Sequence, residues 1–104
     1  MIKLVGLLRR AGGTTPARFR QYWIGHHARI AMQLPGLRRY VVNPVVAVPG
    51  GEQPPWDGVA ELWFDDLAAF EAAMASPQWR AAEADHDFIE HRLIFLCEER
   101  QVLP

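Results

Sequence analysis

Residues 22–40 read YWIGHHARIAMQLPGLRRY, and they hold a helix, its stop signal, the start of a strand and two adjacent histidines. Phe19, Trp23, Ile30 and Leu34 recur at the spacing of one helix face, so the helix is expected to lie on something apolar. Pro35-Gly36 ends it, because proline disfavours the helical conformation of the residue before it. His26 and His27 flank the apolar direction, each roughly 50° away at about 100° per residue. Regular helical geometry leaves open which of them faces inward.

Working outward, Ile2 to Arg9 is an aliphatic strand closed by Ala11-Gly12-Gly13. Thr15-Pro16 is a helix start, since the hydroxyl accepts from a free backbone N–H and proline lacks only a donor that would go unpaired. The helix is expected to run to about Leu34. A second strand spans Leu37 to Val48, interrupted at Asn43-Pro44, where proline cannot donate to a ladder. Pro49 to Asp57 is the longest loop, a place for a lid or a partner contact. Val59 to Phe64 is a third strand, and Asp66 caps a helix with Leu67, Phe70 and Met74 on its apolar stripe. Ser76-Pro77 begins a shorter helix from Gln78 to about Ala84, and His91 to Glu99 is the fourth strand. This order predicts a single α+β domain over residues 1–104, a split βαβ-βαβ arrangement with helices on one face of a four-stranded antiparallel sheet.

The strands do not alternate as a sheet with one wet face should. Val41 and Val42, Val45 and Val46, Leu7 and Leu8, and Leu93 to Cys97 put apolar side chains on both faces. A lone chain would then show a larger apolar patch than soluble monomers usually do. A homodimer packed sheet to sheet is the expected remedy.

The 104 residues suit one core, which buries roughly two-thirds of the unfolded surface. Half of them are hydrophobic and the net charge is −1, so disorder and bulk attraction to nucleic acid or membrane are not expected. Cys97 is the single cysteine and reads as a small buried hydrophobe. Met1 to Leu8 is too short for a spanning helix, and its basic residues follow the apolar run, so a cytoplasmic location is expected. The chain lacks GxGxxG, GxxxxGK, GxSxG, HxxxH and CxxC. Adjacent helical histidines diverge too far to share an ion, so neither a metal nor another cofactor is expected.

His27 is the candidate general acid–base, because an ordinary imidazole titrates near 6.5 and can take and return a proton at neutral pH. The alternative is a histidine satisfied at the core edge. Tyr40 either donates to a ligand oxygen beneath His27 or finds a backbone carbonyl. Phe19, Trp23, Trp63 and Trp79 either line a flat pocket or belong to the core. His86, between Asp85 and Asp87, leans into the pocket mouth or is solvated. His26 is expected exposed or paired with Tyr22. Glu61, on the face opposite Ala60, Leu62 and Phe64, should meet the second copy, paired with a residue such as Arg39 or with a raised pKa.

Trp23 followed by His27-Ala28 and by Leu34-Pro35-Gly36-Leu37-Arg38-Arg39-Tyr40 resembles the signature of the EthD family. Asp57-Gly58-Val59-Ala60-Glu61-Leu62-Trp63-Phe64 and Ser76-Pro77-Gln78-Trp79 extend the likeness, while Arg29 stands where the family mostly has proline. The resemblance implies a dimeric α+β barrel of ferredoxin-like fold, with His27 as its catalytic base. It also implies small-molecule chemistry of catabolism or secondary metabolism without a cofactor, of isomerase, dehydratase or lyase type, on a cyclic or aromatic ligand such as a muconolactone or polyketide intermediate. A ligand-binding accessory role in an oxygenase pathway and cofactor-free oxygenation are the alternatives it leaves.

Overall fold

The computed structural model describes residues 1–104. Four strands, β1 (Ile2–Arg10), β2 (Arg39–Pro44), β3 (Gly58–Phe64) and β4 (Ile89–Glu98), form one antiparallel sheet in the order β2-β3-β1-β4. Between β1 and β2 run α1 (Pro16–Tyr22), a π-helical turn (Trp23–His27) and α2 (Ala28–Ala31); between β3 and β4 run α3 (Leu67–Met74) and α4 (Pro77–Ala84). This is the ferredoxin-like α+β fold that the repeated strand-helix-strand order predicts.

The expected caps are in place. Thr15 accepts from the Arg18 N–H at 3.2 Å, Asp66 from the Ala69 N–H at 2.8 Å, and Ser76 from the Trp79 N–H at 3.1 Å. Strand β2 is shorter than expected: Val45 to Val48 leave the sheet, and Val46 is 84% exposed. Pro44 ends the ladder there, and the Asp57 carbonyl takes the Val45 N–H instead. The loop before β3 is fastened by the Asp57 carboxylate, which accepts from the Arg10 N–H at 2.8 Å, and by Trp56, stacked on His91.

Leu4, Leu8, Ala60, Leu62 and Phe64 face the helices and join Phe19, Trp23, Leu34, Phe70, Ala73 and Phe88 in one core. The helix path departs from expectation at the π turn, where the Ala28 N–H donates to Trp23, five residues back. One extra residue in a turn rotates all that follows by about 100°. The inward series thus becomes Phe19, Trp23, His27 and Ala31, with Ala31 buried where Ile30 was expected. Regular turns would have left the choice between His26 and His27 open; this turn makes it.

The other face of the sheet carries Val5, Leu7, Val41, Leu93 and Phe95, with Leu93 41% and Phe95 51% exposed. Glu61 lies there as expected, but its partners are within the chain: Lys3 Nζ at 3.0 Å and Asn43 Nδ2 at 3.0 Å. Burial opposes the charge, yet these donors hold the Glu61 carboxyl below its ordinary value, not above it. Arg39 stacks on Trp63 instead of pairing with Glu61.

Candidate functional site

A hollow of about 90 Å³ lies between the helices and the sheet. Its floor is Leu4, Gly6 and Leu8 of β1 with Ala60 and Leu62 of β3; Trp23, His27 and Ala31 form the roof, and Tyr40 enters from β2. On the remaining side α4 supplies Trp79 and Glu83, and β4 supplies Arg92 and Ile94. The Arg92 guanidinium donates to Glu83 and bridges these two elements.

His27, Tyr40, Trp23, Trp79 and His86 therefore share one hollow. Phe19 and Trp63 do not. Phe19 is wholly buried in the core, against Trp23 and Phe88. Trp63 belongs to the opposite sheet face, where its indole N–H donates to Glu99 at 2.9 Å and Lys3 and Arg39 lie over its ring. Strand pleating explains this, since Trp63 alternates with Leu62 and Phe64. His26 stacks on Tyr22 with ring centres 4.8 Å apart, and His86 sits at the rim, its Nδ1 3.7 Å from Asp87.

Asp85, at the end of α4, is a site residue that the sequence did not single out as a partner for His27. Its Oδ2 lies 2.9 Å from His27 Nδ1, and its other oxygen accepts the Tyr22 hydroxyl. Packing of α2 against α4 brings the two together. Burial pushes the Asp85 carboxyl up, but the bonds from Tyr22 and His27 outweigh it and hold the group below its ordinary value. An ionised Asp85 can only accept, so His27 Nδ1 carries a hydrogen and neutral His27 keeps its lone pair on Nε2. The same bond, with burial and the charges of Asp85 and Asp87, pushes the Tyr22 phenol up to about 12.

Among the polar groups on the hollow, an imidazole nitrogen and a phenol remain unpartnered. Neither His27 Nε2 nor the Tyr40 hydroxyl bonds a protein atom, and neither is sealed from solvent, because Arg10 Nε is the one fully buried unpartnered side-chain nitrogen or oxygen. Tyr40 thus has no backbone carbonyl to satisfy it. Burial pushes its phenol up to about 12, which keeps it a donor at neutral pH. The site combines a base, a neutral donor and apolar walls. No group of three His, Cys, Asp or Glu side chains converges in a way that could hold a metal ion. No helix is long and apolar enough to cross a membrane.

The EthD domain model matches residues 11–90. Among solved structures, an ethyl tert-butyl ether D family protein of Bacillus halodurans C-125 superposes with a TM-score of 0.85 at 25% identity, covering 96% of this chain and 99% of that one. A cofactor-independent oxygenase of Streptomyces nogalater, SnoaB, gives a TM-score of 0.70 at 19% identity, with 99% and 96% covered. A dimeric ferredoxin-like protein of unknown function from Thermobifida fusca gives 0.71 at 21%, with 92% and 88% covered. No match is found among curated proteins.

Proposed function

This chain belongs to the EthD family, and on that premise we propose that it is a cofactor-independent enzyme that moves a proton on a cyclic or aromatic small molecule, with His27 as general acid–base. One observation carries this reading: His27 Nδ1 is engaged by an ionised carboxylate while Nε2 is unpartnered on a hollow. His27 Nε2 takes a proton from an acidic C–H or O–H of the ligand, and the Tyr40 hydroxyl donates to the oxygen on which charge develops. The Asp85 carboxylate stabilises the imidazolium until the proton is returned, at the same atom or another. Return at another carbon is isomerisation, and return to a leaving hydroxyl is dehydration. A base so placed supplies about 10²- to 10⁴-fold of rate.

Cofactor-free oxygenation is a second reading, supported by the fold shared with SnoaB. It begins with the same deprotonation, here of an electron-rich phenol, so His27 serves both. The experiment is incubation with cyclic enones and dihydroxybenzenes in D₂O, with deuterium gain and oxygen uptake followed together. Exchange that disappears in His27→Ala supports the first reading, and His27-dependent oxygen uptake the second. Affinity without either change identifies a binding protein.

A second copy covers the sheet face that bears Val5, Leu7, Val41, Leu93 and Phe95. Support comes from its exposed apolar side chains and from the dimeric ferredoxin-like neighbour. Lys3, Glu61 and Asn43, already paired within the chain, reach that interface without a lone buried charge.

A further inference from the structure

Gly6 stands in the middle of β1, where glycine normally weakens a strand. The positive backbone φ angles that would call for glycine occur at Gly13, Gly36, Gly50 and Gly51, not at Gly6. Packing does not call for it either. A Cβ built there would meet nothing closer than Ala60 Cβ at 3.9 Å, an ordinary contact. The space that this missing side chain leaves belongs to the hollow, whose floor Gly6 forms with Ala60, its neighbour in the β1–β3 ladder. Two adjacent strands therefore present a flat patch of peptide backbone beneath Trp23 and His27.

The roof carries an independent sign of a ligand. Trp23 is 1% exposed, and its indole N–H bonds no protein atom. A Cβ on Gly58 would strike the benzene edge of that indole, so this edge is the one turned into the protein. Trp23 is among the residues that line the hollow. An indole N–H is a donor only.

We infer that Gly6 and Ala60 are the seat of a single planar ring, lying flat on the sheet backbone and bearing an acceptor oxygen for the indole N–H of Trp23 or the hydroxyl of Tyr40. The inference rests on the hollow being the ligand site and adds the ligand's shape and the residue that selects it. Planarity follows from the flat floor. At most one ring follows from the volume: about 90 Å³ is less than the ~150 Å³ cavity that holds a benzene, so a second ring has no room and part of the first must reach toward the rim at His86. Gly6 is then a specificity residue, kept at the expense of strand stability.

The test is NMR titration of the full chain with phenol, and with cyclohexanol as a ring of similar size that is not planar. Phenol should move the Gly6 Hα resonances upfield through its ring current, saturably, and cyclohexanol should not. Gly6→Ala should melt no lower than the parent chain and bind phenol more weakly; Gly6→Val should lose about tenfold or more in affinity. Equal phenol affinity in Gly6→Val, an equal Gly6 response to cyclohexanol, or a lower melting temperature for Gly6→Ala would overturn the inference. Phenol that binds on Gly6 while no deuterium exchange depends on His27 upholds the seat and counts against proton transfer alone.

Discussion

Asp85 and His27, 58 residues apart in sequence, meet at 2.9 Å over the hollow, carboxylate to Nδ1. This contact fixes which imidazole nitrogen can act as a base. Asp85→Asn keeps the size but offers an amide, which can orient the ring either way and cannot stabilise an imidazolium by charge. Steady-state kinetics on any active ligand should show kcat lower by about 10²-fold or more with KM changed little. An equal fall in ligand affinity would mean that Asp85 holds the ligand instead.

The same carboxylate shapes the response to acid. Its folded-state pKa is below the ordinary value, so its stabilising contribution is present above the unfolded pKa, near 3.8, and is lost as pH falls through the folded one. Melting temperature should therefore decline below about pH 4, and Asp85→Asn should flatten that decline. The flattening is partial, because Lys3 and Asn43 hold Glu61 low against the opposing effect of burial, and Arg38 holds Asp65 low.

At the alkaline end the chain's two tyrosines behave alike for different reasons. Hydrogen bonding to Asp85 pushes Tyr22 up to about 12, and burial pushes Tyr40 up to about 12. Ultraviolet titration of the native protein should show no phenolate step near pH 10, whereas the urea-unfolded chain should show both there. Raised folded pKa values contribute stability that is complete below the unfolded value and lost as pH climbs from about 10 through about 12. Tyr22→Phe should remove one of the two native steps and leave the burial-driven one.

Much of this was legible in the sequence. Thr15-Pro16, Asp66 and Ser76-Pro77 announce helix starts by local chemistry, and Val41-Val42 and Leu93 to Cys97 announce a sheet apolar on both faces, whereas Val45-Val46 lie beyond the strand. The π turn was not, since nothing in Trp23-Ile24-Gly25-His26-His27 forbids an ordinary turn. Asp85 was not, because a pairing across 58 residues leaves no local trace. For Trp63 the pleat was the better guide: the alternation that puts Glu61 on the open face puts Trp63 there too.

Gly58 is glycine for packing, in contrast to Gly6. A Cβ there would collide with the six-membered ring of Trp23. Gly58→Ala should cost about 1–3 kcal/mol, read from urea unfolding, because the buried Trp23 ring would have to shift from its packed position.

Phe95, opposite Val5 on the open face, is the side chain whose change should separate two copies most cleanly. Light scattering is expected to give twice the chain mass for the parent protein and a single chain mass for Phe95→Glu, since a carboxylate there would have to be desolvated against apolar neighbours. A parent protein that is monomeric at all concentrations would remove the proposed dimer.

The central claim is that Asp85 turns His27 so that a basic Nε2 looks into the hollow, and nitrogen NMR of the imidazole ring reads this directly. In the neutral form His27 should carry its hydrogen on Nδ1, with the Nε2 resonance at the unprotonated position, and Asp85→Asn should mix the two tautomers. A neutral His27 with its hydrogen on Nε2 would contradict the account, whatever the protein is found to bind.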